Sequence, residues 1–94
     1  MDKKYQVSVV KRNGNSVKET VKKAIDLIGG LEKYISPQQR VMLKPNYTGL
    51  LSPKTGAVTS LEVLEGVILT LQEFGIKDII IADGCGTVHV GTNR

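Results

Sequence analysis

Between residues 5 and 12 the apolar residues Tyr5, Val7 and Val9 alternate with Gln6 and Ser8. A period of two predicts a strand with one apolar and one mixed face, and Asn13-Gly14-Asn15 breaks it. The period then lengthens. Ser16-Val17-Lys18-Glu19 has the form of a capping box, in which the serine and glutamate side chains each satisfy a backbone N–H that the helix leaves open. Val17, Val21, Ala24, Ile25 and Ile28 fall on one helical stripe. Lys18, Lys22 and Asp26 lie opposite it, and Glu19 and Lys23 are spaced for an ion pair. Gly29-Gly30 ends this helix, because glycine reaches the left-handed conformation without a steric penalty. Residues 31–34 add a short extra turn, and Ser36-Pro37-Gln38-Gln39 is a turn.

Residues 40–43 predict a short second strand that runs into Lys44-Pro45-Asn46. Residues 44–58 form a loop with two prolines and two glycines, far longer than the roughly 2–6 residues usual between strand and helix. Thr59-Ser60-Leu61-Glu62 reads as a second capping box with Thr59 as the cap. Leu61, Leu64, Val67, Ile68, Leu71 and Phe74 give the second helix a wide apolar face, and Gly75 closes it. The apolar run Ile79-Ile80-Ile81-Ala82 suits a parallel strand covered on both faces. It stops at Asp83-Gly84-Cys85-Gly86, and residues 87–94 predict no element.

Strand, helix, strand, helix, strand implies one α/β domain over residues 1–94. It would be a βαβαβ unit with a small parallel sheet and right-handed crossovers, a Rossmann-like half in two or three layers. The half-polar first strand suggests an edge and the order 1-2-3, with 2-1-3 as the alternative. In the order 1-2-3 both helices fall on one side of the sheet. The bare apolar face left behind predicts packing on the rest of a larger protein, or a homo-oligomer.

Composition narrows the class. With 94 residues, 40% hydrophobic and 23% charged, the chain is one globular domain rather than a disordered segment. The net charge of +4 is scattered, and three tyrosines and one phenylalanine are not interleaved with basic residues as a base-stacking surface requires. No nucleic-acid partner is expected. Cys85 is the single cysteine, so an intramolecular disulfide is impossible and a reducing compartment fits. Residues 1–20 hold no apolar signal core, and no run approaches the roughly 20 apolar residues of a membrane span. A cytoplasmic protein without a membrane partner is expected.

In open parallel α/β sheets, ligands bind beyond the carboxyl ends of the strands. Residues 11–15, 44–58 and 83–86 occupy that rim here. Lys44 leaves a strand directly, and Pro45 fixes the exit direction. Asn46, Tyr47, Thr48, Thr55 and Thr59 supply donors ahead of a helix amino end. A cation, open N–H groups and a helix amino end together favour a small anion, a phosphate or a carboxylate. The alternative is a solvated Lys44 and an Asn46 that closes a turn. At the third strand end, Asp83 with Gly84 and Gly86 would let backbone approach a ligand, although an Asp-Gly turn needs none. Neither G-x-G-x-x-G nor a phosphate loop of the form G-x-x-x-x-G-K-[ST] is present. Asp83, Cys85 and His89 fall short of the four ligands a structural zinc takes, and Cys85 has no base to activate it. No metal site is expected. An enzyme using Lys44 and Asp83 is a further alternative, disfavoured because so small a rim has few walls to exclude water.

The segment Arg40-Val41-Met42-Leu43-Lys44-Pro45-Asn46, then Gly56-Ala57-Val58-Thr59-Ser60-Leu61-Glu62-Val63, then Ala82-Asp83-Gly84, resembles the start of proteins in the domain of unknown function 362 family. Residues 24–34 look like that family's first-helix exit, and the resemblance covers most of residues 5–86. It implies that the chain is the amino-terminal portion of a larger protein, and that Lys44, Asn46 and Asp83 are rim residues. Many members carry ferredoxin-type cysteine clusters that hold [4Fe–4S] centres, which implies a redox setting. It also implies another role, a docking domain of a larger iron–sulfur protein that binds no ligand itself. With one cysteine this chain holds no such cluster, so any cofactor belongs to the remainder of a full-length member. Gly84-Cys85 stands where the family often shows Ser-Pro.

Overall fold

A computed structural model describes residues 5–45, 59–83 and 86–90. Helix α1 spans Val17–Leu27 and starts as its sequence dictates. The Glu19 N–H donates to Ser16 Oγ at 3.1 Å, and the Ser16 N–H donates to Glu19 Oε1 at 3.4 Å. At the other end Gly29 and Gly30 take φ of 115° and 81°, and the Gly30 N–H turns back to the Ile25 carbonyl. The Tyr34 hydroxyl donates to the open Ile28 carbonyl at 2.7 Å. A 3₁₀ turn over Leu31–Lys33 and a turn closed by Gln39 N–H to the Ser36 carbonyl lead into strand β1, Arg40–Leu43.

Helix α2 spans Leu61–Phe74. Its cap is Ser60, one residue later than the sequence suggests. Ser60 Oγ accepts from the Val63 N–H at 3.2 Å. The third helical residue is therefore Val63, which has no carboxylate to return the bond. Gly75, at φ 111°, closes α2.

Strand β2 spans Asp78–Asp83 and strand β3 spans Gly86–Val90. The sheet order is β1-β2-β3. β1 and β2 pair in parallel from Arg40↔Asp78 to Leu43↔Ile81. Their adjacency rules out the order 2-1-3, which would set another strand between them. β2 and β3 pair antiparallel from Ile79↔Val90 to Asp83↔Gly86. The small sheet is therefore mixed, not all-parallel.

Two expectations are corrected. Residues 86–90 form a strand although the sequence signals none, because Val88 and Val90 are too short a pattern to declare it. Residues 5–12 pair with no strand among the described residues. They lie beside α1, where Ser8 Oγ donates to the Ala24 carbonyl at 2.6 Å and Lys33 Nζ to Gln6 Oε1 at 3.3 Å. Ser8 and Val10 are half-buried, whereas Tyr5, Val7 and Val9 are 84–89% exposed. Alternation specifies a strand's shape, but a ladder also needs a neighbour.

The core gathers where α2 meets the sheet. Leu71, Ile76 and Ile79 are buried, and Val41, Leu43, Val67, Ile68, Phe74 and Val90 pack round them. Ile80 is buried on the opposite face, so the β2 run is covered on both sides as its composition suggests. α1 contributes nothing to this cluster and has no fully buried residue. It packs on α2 instead. A Cβ on buried Gly66 would lie 3.3 Å from Lys18 Cα, so glycine is what lets the helices approach. One turn on, buried Thr70 donates to the Gly66 carbonyl at 2.8 Å. Lys18, expected on the solvent side, is half-buried and pairs with Glu73 of α2. The ion pair within α1 joins Lys22 and Asp26 at 3.0 Å, not Glu19 and Lys23. Among the described residues no helix is long and apolar enough to cross a membrane.

Candidate functional site

Because β1 and β2 are parallel, their carboxyl ends lie on the same side. Leu43 pairs with Ile81, so Lys44 leaves the sheet next to Ala82 and one residue before the end of β2. Lys44 is exposed and has no ion pair among the described residues.

The course of α2 fixes what else lies there. A Cβ on Gly75 would meet Pro37 Cβ at 3.3 Å, so the carboxyl end of α2 sits beside the turn that enters β1. Fourteen residues of helix span about 21 Å. The amino end of α2, with its cap Ser60, therefore lies toward the strand carboxyl ends, where its leading N–H groups favour negative charge. Arg12 reaches the same region. It lines a groove of about 350 Å³ with Val10, Val17, Ser60, Glu62 and Val63. Its Nε donates to the Asn15 carbonyl at 2.6 Å, which fixes the turn between residues 5–12 and α1.

The remaining site candidates are divided. Asp83 ends β2 and Gly86 begins β3, and the two are register partners. The Asp83-Gly84-Cys85-Gly86 segment thus joins an antiparallel pair rather than leading from a strand into a helix. Asn46, Thr48 and Gly84 lie outside the described residues, as do Tyr47, Thr55 and Cys85. His89 is on β3, paired with Ile80, and its Nδ1 is 3.9 Å from Asp78 Oδ1. Among the described residues no group of three or more His, Cys, Asp or Glu is placed to hold a metal ion. A single cysteine in the chain does not fit a four-thiolate cluster.

Sequence reasoning missed the row Arg40, Asp78 and His89 on the sheet face away from α2. Arg40 Nε donates to Asp78 Oδ2 at 2.7 Å. The opposite charges that open the two parallel strands were the signal for it.

The family described as Domain of unknown function (DUF362) matches residues 41–94, more than half of the chain. The chain belongs to the DUF362 family. The match begins in β1 and takes in α2, β2 and β3, so Lys44 and Asp83 fall inside it. The stretch at residues 24–34 falls outside it. No curated protein and no solved structure matches this DUF362 chain.

Proposed function

We propose that the carboxyl end of the β1–β2 pair binds a small anionic ligand, a phosphate or a carboxylate, within a redox-associated protein of the family. The observation that carries this is the position of Lys44. It is an exposed cation without an ion pair among the described residues, at the end of a parallel pair and on the side of the α2 amino end. Parallel α/β sheets collect ligands at that location. The redox setting rests on family resemblance alone, and the single cysteine favours a reducing, cytoplasmic one. A phosphate titration followed by amide NMR tests the site. Shifts at Lys44, the start of α2 and residues 82–87 are expected. Unmoved resonances at millimolar phosphate refute it.

A second proposal is a docking domain that binds no ligand and packs on a larger iron–sulfur protein or on a second copy. The exposed row Tyr5, Val7 and Val9 favours it. Sedimentation equilibrium at micromolar concentration decides its homo-oligomeric form. A clean monomer that binds no hydrophobic dye counts against it.

A further inference from the structure

We infer that residues 5–12 add to the free edge of β1 as a fourth, parallel strand when the anion binds, and that this closure brings Lys11 and Arg12 beside Lys44. The ligand is then an anion of two or more negative charges, such as a phosphate dianion. The inference rests on the anion-binding proposal above.

Four independent observations lead to it. First, among the described residues β1 pairs with β2 alone, which leaves no described strand on its other edge. Second, α1 lies beside α2, yet its stripe of Val17, Val21, Ala24, Ile25 and Ile28 is only half-buried and none of it reaches the core. A helix in this position is one strand short of cover. Third, residues 5–10 present their side chains alternately. Ser8 and Val10 turn toward α1, as Val41 and Leu43 turn toward α2. Pairing Ser8 with Val41 and Val10 with Leu43 keeps the helix-facing residues together. Fourth, a strand followed by a helix and then a parallel strand crosses over to the right almost without exception. With α1 and α2 on one side of the sheet, that rule puts the strand before α1 next to β1.

In this register Lys11 and Arg12 fall next to Lys44 and Pro45, on a strand about 4.8 Å away. The groove that Arg12 shares with Ser60 and Val63 shows that this end of the segment already lies toward the α2 amino end. Three cations at one rim repel each other, and Glu62 is the one carboxylate in the same groove. Closure is therefore opposed without a ligand and favoured by an anion that neutralises more than one charge. The amino-terminal segment becomes a strap whose position reports occupancy of the rim.

The test is amide hydrogen exchange on the whole chain, with and without inorganic phosphate. Alternate amides of residues 5–12 are expected to exchange at least about tenfold more slowly in phosphate. Arg12→Ala should weaken phosphate binding by about tenfold or more, the range for one charge-assisted hydrogen bond, while Arg12→Lys keeps most of it. If Lys44 shifts on phosphate addition while residues 5–12 exchange as an open chain and Arg12→Ala binds like the wild type, closure is overturned and the anion proposal stands. If no resonance moves, both fall together.

Discussion

Arg40 donates through Nε to Asp78 Oδ2 at 2.7 Å, and these two residues are also the first register pair of the parallel strands. The other carboxylate oxygen of Asp78 faces His89 Nδ1 at 3.9 Å. One carboxylate thus touches both neighbouring strands at the same edge of the sheet. All three side chains are at least 42% exposed, so water competes for each contact.

Asp78→Asn should therefore cost no more than about 1 kcal/mol, the upper range for exposed pairs. The difference from wild type should shrink in about 1 M salt, where the screening length falls to about 3 Å. Urea midpoints at low and high salt measure it. A large, salt-independent loss would mean that Asp78 is structural in another way.

Gly66 sets the distance between the helices. Gly66→Leu should destabilise the chain by about 1–3 kcal/mol through overpacking, although leucine favours a helix by about 1 kcal/mol over glycine. In a domain of this size each kcal/mol lowers the melting midpoint by about 4–8 °C. A raised midpoint would show that the helices yield freely at Lys18.

The two helix starts separate in a cap scan. Ser16→Ala and Ser60→Ala should each cost about 0.5–2 kcal/mol. Thr59→Ala should leave the cap bond from the Val63 N–H to Ser60 in place.

How much of this was legible in the sequence depends on the range of each signal. Ser16 with Glu19, and Gly29 with Gly30, act within a few residues, and both ends of α1 fall where they point. At α2, Thr59-x-x-Glu62 and Ser60-x-x-Val63 compete, and only geometry shows that Ser60 wins. The parallel pairing of residues 40–43 with 78–81 follows from an apolar run with a helix between. Strand β3 was not legible. Gly86-Thr87-Val88-His89-Val90 becomes a strand because β2 offers it an edge across a two-residue connection, while its own Val88 and Val90 are too few to show a period. The reverse holds for residues 5–12, where the pattern is clear and the neighbour is missing. At the candidate site Lys44 was legible because it leaves a strand directly. The Arg40–Asp78 pair was not, since 38 residues separate its members.

Lys44→Ala should leave stability almost unchanged, because an exposed side chain without an ion pair among the described residues has little packing role. It should weaken phosphate binding by about 1.5–3 kcal/mol, as for a hydrogen bond to a charged group. Calorimetric titration and a thermal melt of the same variant check both halves. An unfolded variant would make Lys44 structural.

Asp26 raises the Lys22 ammonium above its ordinary value of 10.5, first by accepting its hydrogen bond and then by its charge. A raised value in the folded state means that the contribution is complete below pH 10.5 and is lost as pH climbs through the folded value. The stability gap between wild type and Asp26→Asn should thus be flat near neutrality and close above pH 10.5. Paired denaturant melts across that range show whether it does.

The two halves of the sheet differ in how soon they can form. β2 and β3 are separated by residues 84 and 85 alone, and such hairpins close in about 1–10 μs. β1 meets β2 only after the chain has closed a loop with α2 inside it, and the entropy of that closure must be met before any contact rewards it. β1 is therefore expected to join late in folding, with Lys44 reaching its place at the same time. The anion proposed for that rim should then grip contacts made after the folding transition state, and so lengthen the native lifetime by slowing unfolding while leaving the folding rate almost untouched.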